Sequence, residues 1–346
     1  MSYVFLFAGQ GSQKAGMGKD LYEMSPEYRA HIDRLSELFA AAPDLGRLMQ
    51  PAPDPGRLMQ PAPDLRRLMQ PAPDLRRLMH EGPEDMLQET RYTQPCMTAF
   101  QTGVTELLKK EGIVPAAACG LSLGEYSALV AADVFSPEQA FRVTSFRGEA
   151  MQAAAEGLSC GMIAVIGAER AVIEEACREE TESGSGFVSP VNYNCPGQIV
   201  ICGDEAAVTG AGERILKAGK ARLIRLKTGG PFHTNYMAPA GEKLMAFLEQ
   251  PENRPGTPSI PVTSNVTGAF YMPEDNITEL LARQVSGSVM LEQDLKALLE
   301  AGYRDFLEIG PGNTMKGFLK KTARAMHIDV NCAGISTAED FKAVIA

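Results

Sequence analysis

Cys119-Gly-Leu-Ser-Leu-Gly-Glu-Tyr-Ser-Ala128 is the stretch that decides how the rest of this 346-residue chain is read. Gly120, Ser122 and Gly124 form a G-x-S-x-G, the spacing of a nucleophile elbow, in which a strand ends, the serine takes a strained backbone conformation and a helix begins at once. A Cβ at either glycine would collide with neighbouring backbone. The flanks suit the motif. Pro115 to Cys119 is a short apolar run of strand length, although its three alanines have weak strand propensity. Glu125 to Ala132 is rich in helix formers, with the Glu125 carboxylate in the first turn where the helix dipole favours it. The same spacing also occurs as a plain glycine turn, so the surrounding chain has to decide between the two.

Upstream, the apolar run Tyr3 to Phe7 reads as a buried strand and breaks into Gly9-Gln-Gly-Ser-Gln13. Gly9 and Gly11 match the first two glycines of a dinucleotide fingerprint, but Lys14 stands where the third belongs, so that motif fails. A glycine loop after a first strand is equally suited to presenting the Gln10 N–H to a reacting oxygen; a plain turn is the alternative. Leu21 to Ala42 has helical spacing, and His31 within it reads as a solvated or capping histidine. Glu84 to Arg91 has helical spacing, Cys96 to Glu111 reads as an amphipathic helix, and Ser136 and Pro137 cap a helix through Gln152. Between these lies Ala-Pro-Asp-x-x-Arg-Leu-Met, repeated from Ala42, Ala52, Ala62 and Ala72. A period of ten with two prolines per copy allows no continuous helix, so residues 42–81 read as a tandem expansion of one surface helix-loop unit, each copy a short turn with proline at its first position.

From Gly161 the spacing changes. Met162 to Ile166, Phe187 to Tyr193, Gln198 to Cys202 and Arg222 to Lys227 read as strands, with helices over Arg170 to Glu180 and Glu205 to Gly219. This βαββαβ order is that of a ferredoxin-like unit. The expected architecture is therefore α/β: a large catalytic subdomain from residues 1–158 and 230–346, with a small ferredoxin-like subdomain over 159–229 inserted in it and the ligand cleft between them. In the returning segment Pro258 to Asn265 and Phe306 to Ile309 read as strands, Ile277 to Gln284 and Met290 to Ala301 as helices.

Composition narrows the function. A 45% hydrophobic, 22% charged chain of net charge -10 is an ordinary globular protein and a poor candidate for binding nucleic acid or anionic membrane. No apolar run reaches membrane-helix length, the first residues lack a basic leader, and seven cysteines show neither C-x-x-C nor zinc spacing. Reduced thiols, a cytoplasmic address, a monomer and no metal or cofactor are the expectation.

A serine hydroxyl at its ordinary pKa needs an adjacent base. Of the four histidines, His233 alone follows a glycine-rich loop between elements and comes after the serine, so it is the candidate base. No acid completes a triad: Asp204 belongs to the small unit, and a dyad oriented by a carbonyl, from backbone or from an amide such as Gln284, fits better. Such a dyad suits an activated acyl donor like a thioester. The N–H groups of Leu123 and Gln10 would hold the tetrahedral oxyanion. Arg147, in Ser145-Phe-Arg-Gly148, is placed to clamp a substrate carboxylate; a surface charge is the plainer reading. Lys217, Lys220, Arg222, Arg225 and Lys227, or Lys316, Lys320 and Lys321, are candidate contacts for an acidic partner protein.

Taken together, Phe7-Ala-Gly-Gln-Gly-Ser-Gln13, Gly120-Leu-Ser-Leu-Gly-Glu125, Phe146-Arg-Gly148, Asn192-Tyr-Asn-Cys-Pro-Gly-Gln198, Phe232-His233 and Glu308-Ile-Gly-Pro-Gly312 resemble the malonyl-CoA:acyl carrier protein transacylases and the related polyketide synthase acyltransferases. The resemblance covers nearly the whole chain outside the decapeptide expansion. It implies an α/β-hydrolase-like large subdomain and a ping-pong transfer of malonyl from coenzyme A, through Ser122, to the phosphopantetheine thiol of an acyl carrier protein. In that scheme His233 is the base, Gln10 and Leu123 the oxyanion donors, Arg147 the malonate anchor and Gln284 the histidine-orienting residue. Phe232 resembles the bulky ring that excludes an α-methyl branch. The chain departs from the family at Leu121, where histidine is usual, and at Ser286-Gly-Ser-Val-Met290, which replaces an Asn-Pro-Val-x-Trp-like segment. Two rival readings are a serine hydrolase and a non-catalytic carrier-binding module.

Overall fold

A computed structural model describes residues 3–41, 73–227 and 229–346. Its centre is a parallel sheet of four strands in the order β10-β9-β1-β2, where β1 is Tyr3–Phe7, β2 Pro115–Gly120, β9 Asp305–Ile309 and β10 Asn331–Ile335. Helices cover both faces, so the inner strands carry continuous apolar residues: Val4, Phe5, Leu6 and Phe7 are all fully buried. The alanines of β2 are tolerated for the same reason. Ala117 and Ala118 are buried where the strand packs against the elbow helix Leu123–Ala131, and there packing decides and propensity does not.

A second sheet is antiparallel, in the order β4-β5-β3-β6, from Val188–Cys195, Gln198–Asp204, Cys160–Ile166 and Arg222–Arg225. Helices Arg170–Glu182 and Glu205–Ala218 cover one of its faces through Ile173, Val208 and Ile215. The other face, with Ala164 and Val200, turns towards the first sheet and walls a cleft of about 780 Å³ whose opposite side carries Ser122 and His233.

Several expectations change. Leu21 to Ala42 is two helices, Lys19–Met24 and Pro26–Ala41, parted at Ser25, whose backbone is extended before Pro26. The helix expected from Cys96 begins at Thr90 and holds Pro95 inside it; it is buried almost all round and is not amphipathic in its packing. Pro258 to Asn265 contributes one parallel bridge, from Val262 to Ala118 of β2, and the short strand β7, Thr263–Ser264, paired with β8, Ala269–Phe270, because prolines at 258 and 261 lack the donors a longer ladder needs. Helices Ala238–Leu248, Thr314–Ala325 and Ala338–Ile345, and strand β10, were not expected from the sequence.

His31 is neither solvated nor capping. It is buried, 2.6 Å from Glu106 through Nδ1 and 3.1 Å from the Thr102 hydroxyl through Nε2. The fourth decapeptide is also no surface unit: its helix Leu75–Glu81 drives Leu75, Leu78 and Met79 into the main core. Asp74, not proline, starts this helix, its carboxylate accepting from the Arg77 N–H. The copies beginning at Ala42, Ala52 and Ala62 lie outside the described residues. Among the described residues no helix is long and apolar enough to cross a membrane, and no group of three or more His, Cys, Asp or Glu could hold a metal ion.

Candidate active site

β2 ends at Gly120 and the next helix starts at Leu123, leaving Ser122 at the tip of a two-residue turn with φ 52° and ψ -100°. The glycines make that turn possible. A Cβ on Gly120 would lie 2.0 Å from the carbonyl carbon of Gly124, and one on Gly124 would lie 2.2 Å from the carbonyl oxygen of Phe7. The strained conformation is held by polar side chains from the returning segment. Asn265 Oδ1 accepts from the Ser122 N–H at 2.6 Å, Asn265 Nδ2 donates to the Gly120 carbonyl at 2.8 Å, and Gln284 Nε2 donates to the Ser122 carbonyl at 3.0 Å.

His233 faces the serine with Nε2 2.8 Å from Oγ, and its Nδ1 lies 2.8 Å from the backbone carbonyl of Gln284. A carbonyl can only accept, so Nδ1 carries the hydrogen and Nε2 is left to accept the serine proton. Burial, and then the Arg147 charge beside it, lower the imidazole pKa to about 4, against the two backbone bonds that raise it. The ring is therefore neutral at physiological pH. Asp204 takes no part: it accepts from the Phe187 N–H and the Tyr236 hydroxyl.

Arg147 is 1% exposed, although it is a cation. One of its terminal nitrogens donates to Ser122 Oγ at 3.0 Å and to Gln284 Oε1 at 2.9 Å, and the guanidinium stands 5.3 Å from the centre of the Tyr126 ring. Its Nε is buried without a partner. Burial pulls its pKa down. The structure thus gathers Ser122, His233, Arg147 and Gln284 within hydrogen-bond reach, and Gln10 and Phe232 line the same cleft. Leu123 opens the elbow helix, where an amide has no partner one turn back.

Sequence reasoning missed the layer behind these residues. Glu125 is more than a carboxylate for the helix dipole, because it is buried: Oε2 accepts from Gln284 Nε2 at 2.5 Å and from the Asn265 N–H at 3.2 Å, and Oε1 accepts from the Tyr271 hydroxyl. Asp294, also fully buried, accepts from Asn265 Nδ2 at 2.7 Å. Only Glu125 carried a signal, as a charged residue in an otherwise apolar elbow helix.

The model of the family described as acyl transferase domain matches residues 4–339. The chain belongs to the acyl transferase family. Among acyl transferases, the malonyl CoA-acyl carrier protein transacylase of Bacillus subtilis is 34% identical over 322 residues, 93% of this chain and 90% of that one. The crystal structure of the same-named protein from Clostridium perfringens matches with a TM-score of 0.83 at 33% identity, covering 100% of this chain and 96% of that chain. A malonyl-transacylase solved in complex with its type II polyketide acyl-carrier protein matches with a TM-score of 0.84 at 31% identity, covering 100% and 99%. The mixed α/β architecture with its parallel sheet is that of these structures.

Proposed function

We propose that this acyltransferase moves a malonyl group from malonyl-CoA to the phosphopantetheine thiol of an acyl carrier protein, in fatty acid or polyketide synthesis, through an ester on Ser122. His233 Nε2 takes the hydroxyl proton as Oγ attacks the thioester carbonyl, and the N–H groups of Leu123 and Gln10 hold the resulting oxyanion. Collapse breaks the carbon–sulfur bond, and coenzyme A leaves with the proton from His233. The carrier thiol then repeats the sequence in reverse. No cofactor enters beyond the thioesters themselves.

The observation that carries this reading is Arg147. A buried guanidinium aimed at the nucleophile's own oxygen puts a cation within reach of the far end of a short acyl group bound there. A hydrolase acting on neutral esters has no use for that charge. Phe232, 8% exposed beside His233, supports selection against an α-branch. We further divide the chain into an α/β-hydrolase-like catalytic part, 1–158 and 230–346, and a ferredoxin-like part, 159–229, working as a monomer in the cytoplasm. Both basic clusters reach the cleft, one through Lys227 and the other through Thr314 and Phe318 on the helix that exposes Lys320 and Lys321, so either suits the carrier.

Incubation with malonyl-CoA, followed by intact-mass measurement, should give a malonyl adduct that persists until carrier protein is added and is missing in Ser122→Ala. Release of free malonate without a carrier would favour the hydrolase. Transfer that survives in Ser122→Ala would leave only a carrier-binding module.

A further inference from the structure

Among the described residues no carboxylate touches Arg147: its hydrogen bonds go to a hydroxyl and an amide oxygen, and its Nε is unpartnered. The acid that acts on it stands one amide away. Gln284 offers Oε1 to Arg147 and Nε2 to Glu125, so the cation and the carboxylate are wired through a single side chain. The other titratable groups facing Glu125 are Tyr271, Tyr126, Asp294 and Cys119. Burial first, and the Glu125 charge second, hold Asp294 well above the usual carboxylate range. Glu125 itself is pushed up by burial to about 7, against the bonds from Tyr271 and Gln284. Its oxygens differ. Oε2 already accepts two N–H donors, so a proton on this group sits on Oε1 and reverses the bond to the Tyr271 hydroxyl.

We propose that Glu125 sets the enzyme's preference for acyl groups that end in a carboxylate: such a group docking on Arg147 makes Glu125 take up a proton, and ionised Glu125 competes with the group for the cation. This rests on the malonyl-transfer reading above. Glu125 touches no substrate and is a positioning residue, acting through Gln284. The coupling is reciprocal: if a bound carboxylate raises Glu125's proton affinity, the proton raises the affinity for the carboxylate by the same factor. Acylation supplies no proton of its own, since the serine hydrogen leaves on the coenzyme A sulfur, so any uptake belongs to the site.

The test is the ratio of kcat/KM for malonyl-CoA to that for acetyl-CoA in self-loading, from pH 6 to 8.5. For both substrates kcat/KM reports the His233 ionisation of the same free enzyme, and both carry the same nucleotide, so those pH terms cancel. The ratio should fall on the order of tenfold as pH rises through 7, the size that a one-unit coupling between two ionisations gives. In Glu125→Gln it should stay flat. Should that variant not fold, the wild-type enzyme suffices: mixed with malonyl-CoA at pH 7 in weak buffer with a pH indicator, it should take up a fraction of a proton per site, and with acetyl-CoA none. A flat wild-type ratio, equal proton uptake for the two substrates, or a Glu125→Gln ratio that still follows the wild-type slope overturns this proposal while malonyl transfer stands. An enzyme that forms no malonyl adduct overturns the transfer reading as well.

Discussion

Acidifying the enzyme separates a buried imidazole from an ordinary one. A histidine base must be neutral to work, and its ordinary pKa of about 6.5 would leave about a tenth of it neutral at pH 5.5. His233 is held at about 4 by burial and by the Arg147 charge. At pH 5.5 a base with that pKa is about 97% neutral, by the same titration relation. The sign follows directly: a depressed pKa preserves the active form on acidification, and activity is lost only as pH falls through about 4. The assay is acetyl loading of Ser122, followed as kcat/KM because that ratio reports the free enzyme. Acetyl-CoA is chosen because its acyl group carries no carboxylate to answer Arg147, which keeps Glu125 out of the profile. The rate should be level from pH 7.5 to 5.5, with circular dichroism confirming that the fold is intact. A fall to about a tenth over that interval, with the spectrum unchanged, would show that the ring is neither dry nor pressed by the guanidinium, and the electrostatic account of the site would fail.

Arg147→Ala should reduce malonyl kcat/KM by about a hundredfold to ten-thousandfold, the loss of two charge-assisted bonds at about 1.5 to 3 kcal/mol each. Acetyl loading measured on the same preparation should change far less, and equal losses would remove the anchor role. Gly124→Ala should destabilise the protein in urea by at least about 3 kcal/mol, because the added Cβ meets the Phe7 carbonyl oxygen, a backbone atom of the central strand. Gly317→Ala is the control: it is exposed in a helix with open space around it, and should gain about 0.5 to 1 kcal/mol. If the two variants unfold at the same denaturant concentration, close packing at the elbow is not what requires glycine.

The parts of the molecule that could be read from sequence are those fixed by local rules. Ser122 follows from two glycines at set spacing, the helix after it from its composition, and the helix carrying Arg147 from Ser136, which forms a capping box with Gln139, and from Pro137 in its first turn. The βαββαβ element order is legible because short apolar runs such as Met162 to Ile166 and Ile199 to Cys202 are set off by glycine-bearing turns. What escaped depends on partners far away in the chain. Asn265 is an asparagine in a short polar run until the fold brings it, from 143 residues away in sequence, onto the serine amide it grips. His31 looked exposed in a helix of mixed polarity, and only its packing against Thr102 and Glu106 explains why it is buried. Repetition misled at the fourth decapeptide. Four near-identical copies suggest equivalence, yet the last supplies Leu75, Leu78 and Met79 to the core.

Among the described residues no acid stands beside His233, and this has a physical reason once Arg147 is taken into account. An aspartate on Nδ1 would give the imidazolium a partner, but it would also place a fixed negative charge close to the guanidinium. That charge would compete with the substrate's carboxylate for it. The Gln284 carbonyl orients the ring without adding charge, and the same residue's side chain holds Arg147 and Glu125 apart. The cost is a weak base at rest, since burial and then the Arg147 charge depress the histidine. A carboxylate arriving at Arg147 offsets the guanidinium's share of that depression and leaves burial's share in place, so His233 becomes a somewhat stronger base when the correct acyl group is bound. On this reading the charge that selects the substrate also withholds the catalyst from acyl groups that cannot neutralise it.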